Sequence, residues 1–339
     1  MKKRTRAFLA FSGVFFLSGC SSSTEWVSTS FFTMDTTINL KSYGASEKLI
    51  NAVGDIFYQY NDLADCDNAV SGLNNVYTIN NTNDYVKVDQ RLYDMLSFAV
   101  DFMTESEGYY DPFIGSLVSL WKDDLFPSKG EDGTTPESKI PSDEEIRIEL
   151  NKSSKTSLDF DEANCSVRRN GEGKIDLGGM AKGYVAEVAG KYLEGNDCPY
   201  YLLNAGTSSI QLGKKDSSGT NWKIGISNLD GKIFELSSGA VGSSAVTEQL
   251  AYVDGAYYSH IVNPKTGSAK VDWWGVTAVG DSSKVMDPLT TVLIQLGPES
   301  ELSKSLESTY GIKSVYYRLS KQEDGTYSLT ELVEHGLEV

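Results

Sequence analysis

Three short stretches of this 339-residue chain carry side chains whose type and spacing suit chemistry. In the first, residues 174–184, a β-like run ends at Asp176 and passes through Gly178 and Gly179 into an amphipathic helix predicted over 180–193. Ala181, Val185, Val188, Ala189 and Tyr192 lie on its core side. Paired glycines let a ligand approach the backbone, and a helix N-terminus offers unbonded N–H groups and the positive end of a dipole to a phosphate. Lys182, in the first turn, adds a point charge. Glycine pairs in such positions are as often plain turns, so both readings stand for this stretch alone.

The second stretch sets His260 before Asn263-Pro264-Lys265-Thr266-Gly267, a turn by composition. His260 and His335 are the only histidines, too few for a three-histidine metal site or a histidine relay. His260 is therefore the natural general base, against the usual reading of such a residue as structural. The third stretch holds Asp287, Pro288 and Thr291. Asp287 as a helix cap with Pro288 at the first helical position is a complete structural reading. The functional one is that a carboxylate and a hydroxyl four residues apart share a face and meet a hard cation.

These stretches need a scaffold, and the composition supplies one. At 40% hydrophobic and 11% aromatic residues the chain can bury a real core. Its 47 acidic against 30 basic residues, a net charge of −17, argue against a nucleic-acid binder, because polyanion affinity comes from surplus Lys and Arg. A strand is predicted over 32–40, with a turn at Tyr43-Gly44, then a helix capped by Ser46 carrying Leu49, Ile50, Val53, Ile56, Phe57 and Tyr60 at helical spacing. Further helices are predicted over 91–105, 144–151 and 287–296, and short strands over 200–203, 209–212, 222–226, 232–236 and 276–279. Residues 127–145 read as a solvated loop. Strands in hairpin-like succession mixed with a few long helices argue for an α+β fold.

The first residues form a separate unit. A basic start, residues 2–6, precedes an apolar run over 7–17 too short to span a bilayer, which is the pattern of a signal segment. It closes on Leu17-Ser18-Gly19-Cys20, which resembles the lipobox of bacterial lipoproteins and implies lipidation of Cys20 after removal of 1–19. Residues 20–30 then read as a short tether, and 31–339 as a single catalytic domain, with a division into two subdomains left open. Removal of the leader deletes Lys2, Lys3, Arg4 and Arg6 and takes the net charge to −21, so acyl chains rather than surface charge must hold the protein at the membrane. The location expected is the extracytoplasmic face of a bacterial cell membrane. Cys66, Cys165 and Cys198 match no common zinc spacing and read as individual residues, with one disulfide open.

Taken in order, the motifs resemble the ApbE family, the FAD:protein FMN transferases. Residues 175–184 match the family's glycine-paired stretch, and 260–267 its histidine-turn stretch with Asn263 in place of an aspartate. Asp287 and Thr291 match its acidic-threonine pair, Met34-Asp35-Thr36 its early methionine-threonine motif, and residues 110–121 its aspartate-to-tryptophan segment. Ser243-Ser244-Ala245 stands where the family has threonine-serine-glycine, and Cys66-Asp67-Asn68 where many members have an aromatic residue. The resemblance implies an ApbE-like, T-fold-like arrangement of mixed sheets against a few long helices. It implies Mg²⁺ held by Asp287, Thr291 and the carbonyl of Gly179, and FAD as substrate contacted by Asp176 and Lys182. Met34, Asp111 and the backbone near Val262 would line the FAD pocket, with His260 as base. The activity implied is transfer of FMN to a Thr or Ser hydroxyl of a secreted or membrane flavoprotein acceptor, releasing AMP. The same residues with water as acceptor would make an FAD pyrophosphatase, and without chemistry a lipid-anchored flavin or solute receptor.

Overall fold

The computed structural model describes residues 25–129, 135–206, 208–247 and 249–336. The signal segment and Cys20 lie outside the described residues. In chain order the elements are β1 (Trp26–Thr33), β2 (Thr36–Tyr43), α1 (Glu47–Ala64), α2 (Val76–Asn80), β3 (Val86–Lys87), α3 (Gln90–Glu105), α4 (Gly115–Leu125) and α5 (Asp143–Ser153). They continue as β4 (Ser157–Asp161), β5 (Ser166–Asn170), α6 (Ala181–Gly195), β6 (Tyr201–Ala205), β7 (Ser209–Leu212), β8 (Trp222–Gly225), β9 (Ile233–Leu236) and β10 (Gly239–Ala245). The last are β11 (Leu250–Val253), β12 (Ala256–Ser259), β13 (Gly275–Gly280), α7 (Ser283–Leu296), α8 (Glu301–Tyr310), β14 (Lys313–Lys321) and β15 (Tyr327–His335).

The expected α+β architecture is present. Its backbone is an eight-stranded sheet in the order β1-β2-β6-β7-β10-β13-β14-β15, in which every neighbouring pair is antiparallel. Helix α7 packs on β10 and β13, α6 on β6, β7 and α7, and α1 on α6. Ile38, Leu40, Leu203, Ala240, Val276 and Ala278 of the sheet are buried with Val53, Val185, Ala189, Leu289 and Val292 of the helices. A second, smaller apolar cluster joins Leu117, Trp121 and Leu125 of α4 to Ala251, Val262 and Ala269. Among the described residues no helix is long and apolar enough to cross a membrane.

Several sequence expectations need correction. The strand expected over 32–40 is the middle of a hairpin: Met34 and Asp35 both have positive φ (51° and 55°), the geometry of a two-residue turn matched to strand twist. Because β1 begins at Trp26, the ordered strand starts inside the stretch read as tether. Residues 174–176 form only an isolated bridge to Ile114 rather than a strand. On α6, Ala181, Val185 and Ala189 are buried as expected, but Tyr192 is 40% exposed, and the buried side also takes in Gly183, Ala186 and Gly190, small residues where α7 and the sheet approach closely. Cys66, Cys165 and Cys198 are free thiols.

Candidate active site

The site is assembled around residues 108–115, between α3 and α4. The N–H of Asp176 donates to the carbonyl of Pro112 at 2.8 Å, and that of Gly115 to the carbonyl of Lys174 at 2.9 Å, which fastens the stretch before α6 to this segment. Asp111 accepts the N–H of Phe113 at 2.7 Å and the hydroxyl of Ser153. Burial pushes its carboxyl above the usual range, against those two hydrogen bonds and the charge of Lys265.

Asp176 accepts the N–H of Gly178 at 2.7 Å. Its carboxyl is raised by burial first, while the hydrogen bond from Gly178 and the positive charges of Lys122 and Lys182 oppose the rise and Asp67 adds to it. The segment Asp65–Asn68, at the end of α1, therefore lies within electrostatic reach of Asp176, with Cys66 and Asp67 in place of an aromatic residue. Burial and the nearby carboxylates, Asp176 foremost, push the Cys66 thiol up to about 12. Met34 adjoins the same end of α1, its N–H donating to Asn61 Oδ1 at 3.1 Å. No hydrogen bond joins Met34 to Asp176 or Lys182 among the described residues.

At the start of α6 most backbone donors are already engaged. The N–H groups of Met180 and Ala181 reach the Leu177 carbonyl at 3.0 and 2.9 Å. That of Gly183 reaches Asp287 Oδ2 at 2.8 Å. Those of Gly179 and Lys182 make no hydrogen bond among the described residues. The broad phosphate cradle expected at this helix end thus narrows to two donors beside exposed glycines and Lys182.

Asp287 does not cap α7, as its place before a proline suggested. That helix begins one turn earlier, where Ser282 Oγ accepts the N–H of Val285 at 3.3 Å, and Pro288 sits inside the helix. Asp287 instead points across to α6, whose own N-cap residue, Met180, makes no side-chain cap hydrogen bond. Gly183 makes this possible: a Cβ there would lie 2.1 Å from the Ser283 carbonyl oxygen and 2.5 Å from Asp287 Cβ. Thr291, one turn on, donates to the Asp287 carbonyl at 3.4 Å and meets the hydroxyl of Ser244 at 3.5 Å. Ser244 also donates to Thr290 at 3.1 Å, so the serine-rich end of β10 is bound to this face of α7. Among the described residues no group of three or more His, Cys, Asp or Glu side chains is arranged to hold a metal. The oxygen set expected here uses one carboxylate, one hydroxyl and one carbonyl.

His260 follows β12 and is exposed. The turn after it is closed by Asn263, whose Oδ1 accepts the N–H groups of Lys265 and Thr266 at 2.8 and 3.2 Å, so the amide oxygen does the turn's work without an aspartate's charge. Trp121 Nε1 donates to the Gly267 carbonyl at 2.7 Å and its ring stacks on Tyr258 at 5.7 Å. Val262 is buried in the small cluster with Leu117, Trp121 and Ala269. Lys265 Nζ lies 5.7 Å from the Tyr109 ring centroid, and Gln295 Nε2 donates to the Tyr109 carbonyl at 3.4 Å and to that of Thr291 at 2.8 Å. Residues 108–111 thereby link the histidine turn to α7. Tyr110 was not singled out from the sequence, yet it is at the centre. Its hydroxyl is buried without a hydrogen-bond partner, and burial, then Asp176, Asp111 and Asp287, hold its pKa well above the usual phenol value.

The ApbE family profile matches residues 34–313. The FAD:protein FMN transferase of Klebsiella pneumoniae is 27% identical over 78% of this chain and 81% of its own length. That of Vibrio cholerae is 26% identical over 86% of this chain and 87% of its own. The crystal structure of the ApbE protein of Thermotoga maritima, 24% identical, superposes with a TM-score of 0.72 and covers 91% of this chain and 97% of that one. The flavin transferase ApbE of Vibrio cholerae, 23% identical, gives 0.68 over 90% and 97%. With the family profile spanning most of its length and the solved relatives sharing its fold, this chain belongs to the ApbE family.

Proposed function

We propose that this protein moves FMN from FAD to a Thr or Ser hydroxyl of a secreted or membrane flavoprotein, forming a phosphoester bond and releasing AMP, with Mg²⁺ required. The observation that carries the reading is the bond from Gly183 to Asp287, which sets a carboxylate and Thr291 against the glycine-paired start of α6. An acidic protein holds a diphosphate only through local compensation, and this is where a cation, two backbone donors and Lys182 would come together.

The donor set suits a hard cation. Asp287 spends Oδ2 on Gly183, and its other oxygen makes no hydrogen bond among the described residues. Asp287, Thr291 and the carbonyl of Gly179 would hold Mg²⁺, whose bound charge offsets that of the phosphoryl oxygens and of the departing AMP. Asp176 and Lys182 would contact FAD, with Met34, Asp111 and the backbone at Val262 lining its pocket. His260 would take the proton from the acceptor hydroxyl as that oxygen bonds to the FMN-side phosphorus. The bond from this phosphorus to the bridging oxygen breaks, and AMP leaves with the electron pair. A lipid at Cys20 would keep the domain on the extracytoplasmic face of the membrane, within reach of such acceptors.

The test is incubation with FAD, Mg²⁺ and a secreted flavoprotein bearing an acceptor threonine. Transfer raises the acceptor's mass by one FMN and releases AMP. Neither change would reject the proposal; AMP with an unmodified acceptor would identify a pyrophosphatase, and retained FAD without AMP a flavin receptor.

A further inference from the structure

Tyr110 is 5% exposed, and its hydroxyl is buried without a hydrogen-bond partner. A phenylalanine would fill the same volume without leaving a polar atom unsatisfied, so the hydroxyl costs stability unless something else uses it. The ring is fixed: it meets Phe102 edge-on at 5.6 Å, and the Tyr110 N–H donates to Ser106 Oγ at 3.1 Å. It passes beneath the exposed glycine pair, with Cε2 3.7 Å from where a Cβ on Gly179 would sit. The carboxylates of Asp176, Asp111 and Asp287 all act on the hydroxyl. A lysine among these three would compete with a bound cation, whereas a phenol offers a proton donor with no charge.

Building on the function proposed above, we infer that Tyr110 is a positioning residue whose hydroxyl donates to an oxygen that arrives with the magnesium–FAD complex, either a metal-bound water or a diphosphate oxygen. The unsatisfied donor of the ligand-free protein is thereby matched only when the site is filled. This role lies outside the reaction itself, and Tyr110 transfers no proton.

The test compares wild type with Tyr110→Phe, which keeps the ring and its packing. Thermal melting is recorded without ligand, and Mg²⁺ is titrated calorimetrically in the presence of FAD. The ligand-free variant is expected to melt at or above wild type while its Mg²⁺ dissociation constant weakens about tenfold, the size typical of lost outer-sphere partners. An unchanged dissociation constant would overturn the inference, whatever the melting temperature. If wild type itself binds no Mg²⁺ in the presence of FAD, the proposed function fails and takes this inference with it.

Discussion

Asp287 caps a helix that is not its own: its Oδ2 accepts the N–H of Gly183 at 2.8 Å, at the third residue of α6, while the carboxylate is carried by the second turn of α7. One side chain thus ties the glycine-paired start of α6 to α7, where the Thr291 hydroxyl, one turn on, donates to the Asp287 carbonyl. Structure and proposed chemistry can be separated by choice of substitution. Asp287→Ala removes the acceptor and strands a buried N–H, at a cost of about 1–3 kcal/mol in unfolding free energy. Asp287→Asn retains an acceptor oxygen and is expected to cost less than about 1 kcal/mol, yet to lower AMP release on the order of a hundredfold. Denaturant melts alongside AMP assays check both.

Gly183→Ala is expected to destabilise by crowding the contact between α6 and α7, Asp287 included. The added carbon meets the Ser283 carbonyl oxygen at 2.1 Å, which forces the two helices apart at about 1–3 kcal/mol. A melting temperature equal to wild type would contradict the close contact of α6 and α7.

The pH dependence of Asp176 has a definite sign. Burial raises its folded-state pKa, so the folded chain favours the protonated form. That contribution to stability is complete below the ordinary carboxylate value and is lost as pH rises through the raised one. Asp176→Asn should therefore melt higher than wild type at neutral pH, with the gap closing below about pH 4. Its FAD affinity should fall at the same time. A variant less stable than wild type at neutral pH would contradict the burial argument.

His260 is exposed and outside both cores, so His260→Ala should leave melting unchanged. FMN transfer is expected to drop by about 10²–10⁴-fold, the range for a lost general base, with FAD binding retained. Transfer at the wild-type rate would remove the base assignment alone.

The local parts of this fold were readable from residue pattern. The Ser46 cap of α1 is realised, its Oγ accepting the N–H of Leu49 at 3.2 Å, and Val53, Phe57 and Tyr60 of that helix are buried as their spacing predicts. Failures arose where a tertiary partner replaced a local one. The Asp287-Pro288 pair carries every local sign of a cap, but Ser282 takes that role and Asp287 reaches a residue 104 positions away. The hairpin at Met34-Asp35 lacks the glycine or asparagine that usually marks such a turn, so β-branched neighbours on both sides read as one strand. Tyr110 gave no signal because a buried tyrosine in a sequence looks like any core aromatic; only its unsatisfied hydroxyl sets it apart.

The central claim is tested most directly by measuring AMP and acceptor-bound flavin in one reaction with FAD and Mg²⁺. The account predicts one AMP for each FMN attached to the acceptor, and loss of both products together when Asp287 is replaced by Asn. AMP accumulating without protein-bound flavin, or flavin on the acceptor without AMP, would contradict it.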